Sequence, residues 1–440
     1  MKGKISRYTL LNDADRNWDL YNTLSGSLIR ITEKDMQNNI KALLTQKNQT
    51  FICDLSDPFF LTLYQNGFIL PADEDETISV LNMYEQNVVN TKLLKVFPIV
   101  TRQCNFRCRY CYEKHENKHM SAETFTNISS WILDLLYNRI FQQVHINFFG
   151  GEPLLGYDKI ISFLKQLNSG LSRIGIDTEQ NSFGMTTNGY LLELDKFIEL
   201  HHYGVKTYQI TIDGTEEKHN TSRPLKNGQK SWAKIIENLK QISLTDKDFE
   251  IIIRTNYDEE ILTDQLDFFN FISKTFDSRF SVYFEPIKRL GGEKDDELKV
   301  VNELEEIVVA EELFQAICAL GLRNTTLDYM YGPCGKVCYA AESGSFVVDY
   351  DGTLKKCTLA LDDDRNTVGV IHDKGYEIDS KKHAPWITNS FINHAQCREC
   401  KVLPLCFGKK CPKAFVINEL DNIRCDTDEL MVMQYMHVRS

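Results

Sequence analysis

Residues 104–112 read CNFRCRYCY, so Cys104, Cys108 and Cys111 fall in a C-x3-C-x2-C pattern. Three thiolates this close can hold three irons of a 4Fe–4S cube, since such clusters are ordinarily carried by closely spaced cysteines. The fourth iron then has no protein ligand and is open to a small molecule. The triplet alone also admits structural zinc, which takes four N/S ligands. His115 and His119 are the nearby fourth candidates for that reading. The rest of the chain has to decide between the two.

The setting favours metal or redox chemistry. The N-terminus, MKGKISRYTLLND, lacks the apolar core of a signal peptide. No apolar run reaches the ~18 residues of a membrane span. The expectation is a cytoplasmic protein without a membrane partner. Thirteen cysteines in such a compartment point to metal sites rather than a disulfide scaffold. A net charge of −12 argues against non-specific nucleic-acid binding, so no nucleic-acid partner is expected.

The cysteines are unevenly spread. Cys53 and Cys318 stand alone, and Cys318, on a helix near 302–320, reads as a buried thiol. Eight others crowd into the last quarter of the 440 residues. This divides the chain into residues 1–94, a middle region 95–290, a bridging linker and helix 291–333, and a cysteine-rich region 334–440.

In the middle region strands and helices alternate. The strands are expected at 96–102, 144–149, 182–189, 206–214, 249–257 and 280–287. Helices are expected after them, at 157–167, 191–202, 231–242 and 259–275. A further helix, in SAETFTNISSWILDLLYNRI, follows the cysteine loop, with an apolar stripe at Phe125, Ile128, Ile132, Leu135 and Leu136. Six such units imply a parallel sheet with right-handed crossovers. The unusual residues all sit just after strands: the three cysteines, Gly150-Gly151-Glu152-Pro153, Thr187-Asn188-Gly189 and Asp213-Gly214. Parallel α/β folds place their active sites at that edge.

Each turn suits one small ligand. Gly150 and Gly151 allow close backbone approach. Glu152 can accept from an ammonium group. Asn188, Thr211 and Asp213 offer groups for ribose hydroxyls or a carboxylate. Arg223, ten residues after Asp213, can fork onto a carboxylate. Tyr110 is an aromatic candidate for stacking near an adenine. Taken singly, GG and NG pairs are ordinary turns, Arg223 is a surface charge and Tyr110 is core. Their placement after successive strands sets them apart. No catalytic acid or base stands out.

CNFRCRYCY, FFGGEPLL, TTNGYLL and TIDG with the downstream Arg223 together resemble the radical S-adenosylmethionine superfamily, in order over roughly residues 96–290. The resemblance implies an α/β fold with a partial (β/α)6 barrel. It also implies a 4Fe–4S cluster on Cys104, Cys108 and Cys111 that binds S-adenosylmethionine through its amino and carboxylate groups. Reductive cleavage would give a 5′-deoxyadenosyl radical that abstracts hydrogen from the substrate. An electron donor such as flavodoxin or ferredoxin is implied. Glu152 would hold the methionyl amine. Thr211 falls where the family often has serine, and keeps the hydroxyl.

The C-terminal region is similar to the SPASM extension of peptide- and protein-modifying members. Cys338 is followed by Gly352 and Cys357, then by Cys397-x2-Cys400-x5-Cys406-x4-Cys411 and Cys425. The usual pattern has three residues, not four, before the cysteine matching Cys411. Family pairing implies two auxiliary 4Fe–4S clusters, three clusters in all. One would take Cys338, Cys357, Cys411 and Cys334, the other Cys397, Cys400, Cys406 and Cys425. On this region alone a pair of zinc ribbons is the alternative.

In residues 1–94, short strands are expected at 5–11 and 17–31, with NTLSG as a turn. A capping box at Thr32 and Asp35 opens a helix to about Thr45, and a short helix in DPFFLTLYQNGFIL is followed by a strand. PADEDE at 71–76 reads as a solvated acidic link. This content fits a winged-helix-like α+β module that binds an extended peptide by strand addition. A plain packing extension of the barrel is the alternative. The functional expectation is a maturase for ribosomally made (RiPP) precursor peptides. The N-terminal module would capture a leader, and the barrel would form a thioether or carbon–carbon cross-link. The alternative is a sulfatase-maturing type that oxidises a protein cysteine or serine to formylglycine. Such enzymes typically carry aspartate where this chain has Thr358, and tend to lack so long a first region. A third reading is a non-catalytic zinc-rich binding protein.

Overall fold

The computed structural model describes residues 1–13, 16–45, 49–292, 294–388, 395–408, 411–418 and 429–439. Contacts divide the chain into two units. One gathers Met1–Asn90, Thr326–Ser343 and Pro385–Ser440; the other gathers Thr91–Thr325 and Gly344–Ala384.

The first unit begins with strands β1 (Lys2–Ile5), β2 (Thr9–Asn12), β3 (Trp18–Asn22), β4 (Leu28–Ile31), β5 (Phe51–Ile52) and β6 (Ile69–Pro71). They form two three-stranded antiparallel sheets, β5-β1-β6 and β2-β3-β4. The expected strand at 5–11 is split between them, because the chain corners at Ser6–Tyr8. The Ser6 hydroxyl and the Arg7 amide both donate to Glu76, at 2.6 and 3.1 Å, and Glu76 is buried. The acidic stretch at 71–76 is therefore not wholly solvated: its last residue pins this corner. Helices Lys34–Thr45 and Pro58–Gln65 stand where expected, and Glu76–Tyr84 follows the acidic stretch. Asp57 and Asp75 cap the last two, each accepting a backbone amide. Ile5, Leu20, Ile31, Ile40, Leu63 and Phe68 are buried together in this core.

The second unit holds β7 (Leu93–Thr101), β8 (Gln143–Gly150), β9 (Ser182–Thr187), β10 (Val205–Thr211), β11 (Glu250–Tyr257), β12 (Phe280–Pro286), β13 (Ser345–Val348), β14 (Thr353–Lys355), β15 (Thr367–His372) and β16 (Gly375–Ile378). Among the described residues these make one sheet, ordered β12-β11-β10-β9-β8-β7-β13-β14-β15-β16. The pairs from β7 to β12 are all parallel, and each strand lies beside its predecessor. β7 takes β13 on its other side, also in parallel, and β14–β16 continue as antiparallel hairpins. All six expected core strands are present, within a few residues of their expected ends.

One face of the parallel sheet is packed under helices. Val144, Ile146 and Phe148 of β8 and Ile251 and Ile253 of β11 have no exposed surface. The helix Ala122–Tyr137 starts at Ser121, whose hydroxyl accepts from the Thr124 amide. It buries Phe125, Ile128, Ile132, Leu135 and Leu136 as its periodicity requires, and adds Trp131, edge-on to Phe346 of β13. Each such side chain stabilises the layer by about 1.5–3 kcal/mol. The expected helix 259–275 is broken into Glu259–Leu262 and Gln265–Thr275. Asp264 at the break accepts from the Thr215 and Thr263 hydroxyls, a side-chain alternative to helical bonding. Cys318, on Glu303–Ala319, is only half-buried; its neighbour Ile317 takes the fully buried position.

Candidate functional site

The cysteine loop leaves the end of β7 and is fixed by backbone pairing on two sides. On one side the Gly151 amide donates to the Thr101 carbonyl and the Glu152 amide to the Gln103 carbonyl, both at 2.9 Å. This contact explains the glycine pair. A Cβ on Gly150 would lie 2.3 Å from the Thr101 oxygen, and one on Gly151 2.3 Å from the Gln103 oxygen. Gly150 also has φ +122°, a conformation that L side chains rarely adopt. The close approach served by these glycines is thus backbone to backbone, and the two amides are already used.

On the other side the loop pairs with residues 222–226. Arg107 and Arg109 amides donate to the Pro224 and Ser222 carbonyls, at 2.8 and 3.0 Å, and the Lys226 amide donates to Asn105, at 2.7 Å. This ribbon brings Arg223 against the cysteines. Arg109 anchors the loop further through Asp258 at 2.6 Å and Glu260 at 2.8 Å.

Glu152 is fully buried. Its Oε1 accepts from the Leu154 amide (3.0 Å) and the Thr187 hydroxyl (2.7 Å), and its Oε2 from the Asn188 amide (2.8 Å). A carboxylate can accept about four bonds, so one position remains, on Oε2. Burial pushes the Glu152 carboxyl up, and these three donors and the Arg223 charge pull it back. The Asn188 side chain donates to Asn105 (2.7 Å) and lies 3.8 Å from the Cys104 sulfur.

A second network surrounds the Tyr110 hydroxyl. It donates to Asp213 (2.6 Å) and accepts from Arg223 (2.5 Å) and Asn256 (2.9 Å). Asp213, fully buried, also accepts from Ser222 (2.7 Å) and from the Asn256 amide (3.1 Å). Arg223 lies over the rings of Phe106 and Tyr110, 5.7 and 5.9 Å from their centroids. Thr211 is buried at the end of β10, beside Arg254 of β11. His219, fully buried, accepts the Asp213 amide at Nδ1 (3.2 Å). Nε2 then carries the proton and donates to Ser231 (3.0 Å), which donates to the Arg223 carbonyl (2.8 Å). Burial, then the Arg223 charge, keeps His219 neutral by lowering its pKa well below 6.5.

The sequence did not single out Asn256, His219, Ser222, Ser231 or Asn105. Asn256 carried a usable signal, since it too ends a core strand. His219 and Ser231 lie in a crossover, where position relative to the strands says nothing.

The donor set fits an iron–sulfur cube with an open corner. The three thiols lie within electrostatic reach of one another. Burial pushes all three up, Cys111 to about 12, and the Arg223 charge opposes this at Cys108. Bare, they stay protonated; a thiolate here needs a compensating positive charge, which iron supplies. Among the described residues, no three His, Cys, Asp or Glu side chains converge on a point that could hold a single ion. Arg223 Nε and Asn105 Nδ2 are buried without partners, so the loop is short of acceptors. A bound carboxylate is the kind of group that would supply them.

The remaining cysteines are divided between the units. Cys357 belongs to the second, buried before the turn Thr358–Ala360, with its amide on Asn366 (2.9 Å). Cys334, Cys338, Cys397, Cys400, Cys406 and Cys411 belong to the first. There Cys334, Cys397 and Cys400 pack on one apolar cluster with Tyr8, Val80, Val337, Leu403 and Phe407. Cys338 precedes the turn Tyr339–Ala341, Cys406 ends the helix Leu403–Cys406, and Cys411 is exposed at the start of Pro412–Val416. Cys425 lies outside the described residues. No described helix is long and apolar enough to cross a membrane.

Residues 98–263 match the family model described as Radical SAM superfamily. A "Cysteine-type anaerobic sulfatase-maturating enzyme" of Clostridium novyi is 24% identical over 69% of this chain and 83% of its own length. A "Radical SAM cyclopropyl synthase TigE" of Paramaledivibacter caminithermalis is 22% identical over 97% of this chain and 94% of its own. The solved structure "Native anSMEcpe with bound AdoMet and Kp18Cys peptide" shares the fold. It has a TM-score of 0.57 at 19% identity, over 72% of this chain and 88% of that one.

Proposed function

We propose, from the premise that this chain is a radical S-adenosylmethionine superfamily enzyme, that it matures a ribosomally made peptide by forming a thioether or carbon–carbon cross-link. Its cofactors are S-adenosylmethionine and a 4Fe–4S cluster. The peptide reading is carried by the solved structure of the same fold that holds a Kp18Cys peptide, and the bond-forming reading by the alignment over 97% of the chain, first region included, with a relative named as a cyclopropyl synthase. The sulfatase-maturating relative aligns over 69%. The formylglycine reading has that relative in its favour, but Thr358 provides no carboxylate where such enzymes carry aspartate.

Bound together, the two cofactors supply a hydrogen-abstracting radical. In our reading Cys104, Cys108 and Cys111 hold the cluster, and the 222–226 ribbon keeps their loop in one conformation. The vacant position of Glu152 Oε2 takes the methionyl ammonium. Arg223, pinned by Tyr110 and carrying a buried unpaired Nε, takes the carboxylate. Thr211, Asn188 and the Asp213–Asn256 pair would offer groups to the ribose hydroxyls. The ring of Tyr110 would lie near the adenine, as the sequence suggests, while its hydroxyl holds Arg223. Two auxiliary clusters, on Cys334, Cys338, Cys357 and Cys411 and on Cys397, Cys400, Cys406 and Cys425, would carry away the second electron of an oxidative cross-link. A flavodoxin or ferredoxin would donate the first. Residues 1–90 would capture the leader.

The test is anaerobic, reconstituted protein with dithionite and S-adenosylmethionine, assayed for 5′-deoxyadenosine and for mass loss in candidate precursor peptides. A peptide that loses two hydrogens and carries no aldehyde supports the cross-link; a formylglycine aldehyde, which serine also reaches by losing two hydrogens, sinks it. Because residues 1–90 share a unit with Thr326–Ser343 and Pro385–Ser440, deleting them would unfold more than a leader site. Hydrogen exchange with bound peptide is the cleaner measurement. Protection confined to residues outside 1–90 would remove the recognition role.

A further inference from the structure

The face of the parallel sheet opposite the helices carries a cation that the reading above does not use. On β11, Ile251, Ile253, Thr255 and Tyr257 are buried, and Arg254 and Asn256 alternate with them on the other face. Asn256 reaches Tyr110 of the cysteine loop, so this face is the one that bears the site. Arg254 sits two residues back along the strand, about 6–7 Å beneath. In register it stands between Thr211 of β10 and Tyr283 of β12.

Arg254 is held at one end only. Its Nε donates to Asn256 Oδ1 at 3.0 Å, and its guanidinium lies over the Tyr283 ring, 6.0 Å from the centroid. Among the described residues its two terminal nitrogens meet no acceptor, and no carboxylate pairs with it. They are not sealed from water, and the residue is half-buried. Glu285, the nearest acid on the neighbouring strand, accepts instead from the Tyr283 hydroxyl. A guanidinium cannot shed its proton. Fixed in plane, partly desolvated and with its fork empty, it presents the geometry that a carboxylate fills with two parallel hydrogen bonds.

We propose that Arg254 is a substrate-positioning residue, whose fork receives a carboxylate of the substrate segment lying in the barrel beside the Tyr110–Asp213–Asn256 network. The source is an acidic side chain or a chain terminus, and only that choice rests on the peptide reading. Asn256 bonds both Arg254 and Tyr110, so an occupied fork is tied directly to the site where hydrogen is removed.

The test uses reconstituted holoenzyme saturated with S-adenosylmethionine, titrated calorimetrically with four probes: glutarate, acetyl-Gly-Glu-Gly-amide, acetyl-Gly-Gln-Gly-amide and acetyl-triglycine with a free C-terminus. The wild type should bind an acidic probe about tenfold more tightly than the neutral one, a difference of about 1.4 kcal/mol. Arg254→Gln should erase that preference and leave the neutral probe unchanged. Arg254→Lys, which keeps charge without the fork, should restore part of it. A preference for the glutamate probe assigns a side chain; one for the free terminus assigns a chain end. If glutarate alone is discriminated, the carboxylate site stands and the peptide reading fails. A wild type that does not discriminate any acid overturns the proposal, and so does a preference that survives in Arg254→Gln. A variant that loses S-adenosylmethionine affinity while keeping the acid preference also overturns it, because the fork then serves the cofactor.

Discussion

The two cysteine-rich regions are built on opposite principles. The loop at 104–111 is over-determined by the protein itself. It is laced to Gly151 and Glu152 on one flank and to residues 222–226 on the other, and anchored by Arg109 on the buried Asp258. The C-terminal cysteines of the first unit rest on turns and very short helices, Ala395–Arg398 and Leu403–Cys406, against an apolar cluster. Their backbone includes two non-glycine residues at positive φ, Cys334 at 66° and Phe407 at 49°, each of which costs stability. Four-residue helices have little stability of their own. The first loop is thus held in place by the protein's own hydrogen bonds and ion pairs. The second set rests on the apolar cluster.

The sharpest way to break this contrast is to remove ligands. Changing Cys104, Cys108 and Cys111 together to Ala should abolish 5′-deoxyadenosine, lower iron by one cluster's worth, and leave the melting temperature nearly unchanged. A large fall in melting temperature would show that the first loop leans on its cluster after all. Chelating all the iron should do the reverse elsewhere. Amides of Cys334–Ala341 and Cys397–Phe407 should lose hydrogen-exchange protection, and those of residues 104–111 should keep theirs.

Smaller effects refine the picture. Gly151→Ala drives a Cβ into the Gln103 carbonyl, and should cost about 1–3 kcal/mol as overpacking. It should also reduce iron at the first site, read as iron per chain and as a lower melting temperature. His219 gives the weakest effect and the most specific. Its folded-state pKa lies well below the ordinary 6.5, so above that value both states are neutral and nothing is lost. As pH falls below 6.5 only the unfolded chain takes the proton, and stability drops by up to about 1.4 kcal/mol per pH unit until the folded pKa is reached. His219→Gln should flatten that part of the acid limb in a pH series of melting temperatures. An unchanged slope would mean that other groups dominate it.

How much was legible beforehand follows from what each residue depends on. The six core strands could be read from alternation and β-branched runs, and the helix Ala122–Tyr137 from its 3.6-residue stripe, because burial against a sheet imposes those periods locally. The corner at Ser6–Tyr8 and the break at Asp264 could not. Each is made by a partner distant in sequence, Glu76 in one case and Thr215 in the other. Asp213 and Arg223 were visible as charges after a strand. Their joining through Tyr110 required the ribbon between the cysteine loop and residues 222–226.

The sequence by itself determined the chemistry: three closely spaced thiols, a glycine pair before Glu152, and an order of strand ends that puts them on one edge. Those are local properties, fixed by spacing and by the single direction of a parallel sheet. Only the tertiary structure decided that the Gly151 and Glu152 amides bond the cysteine loop, that the Tyr110 hydroxyl joins Asp213 to Arg223, and that, among the described residues, the terminal nitrogens of Arg254 meet no acceptor. Each of these depends on which acceptor lies within about 3 Å in space, and spacing along a chain does not record that.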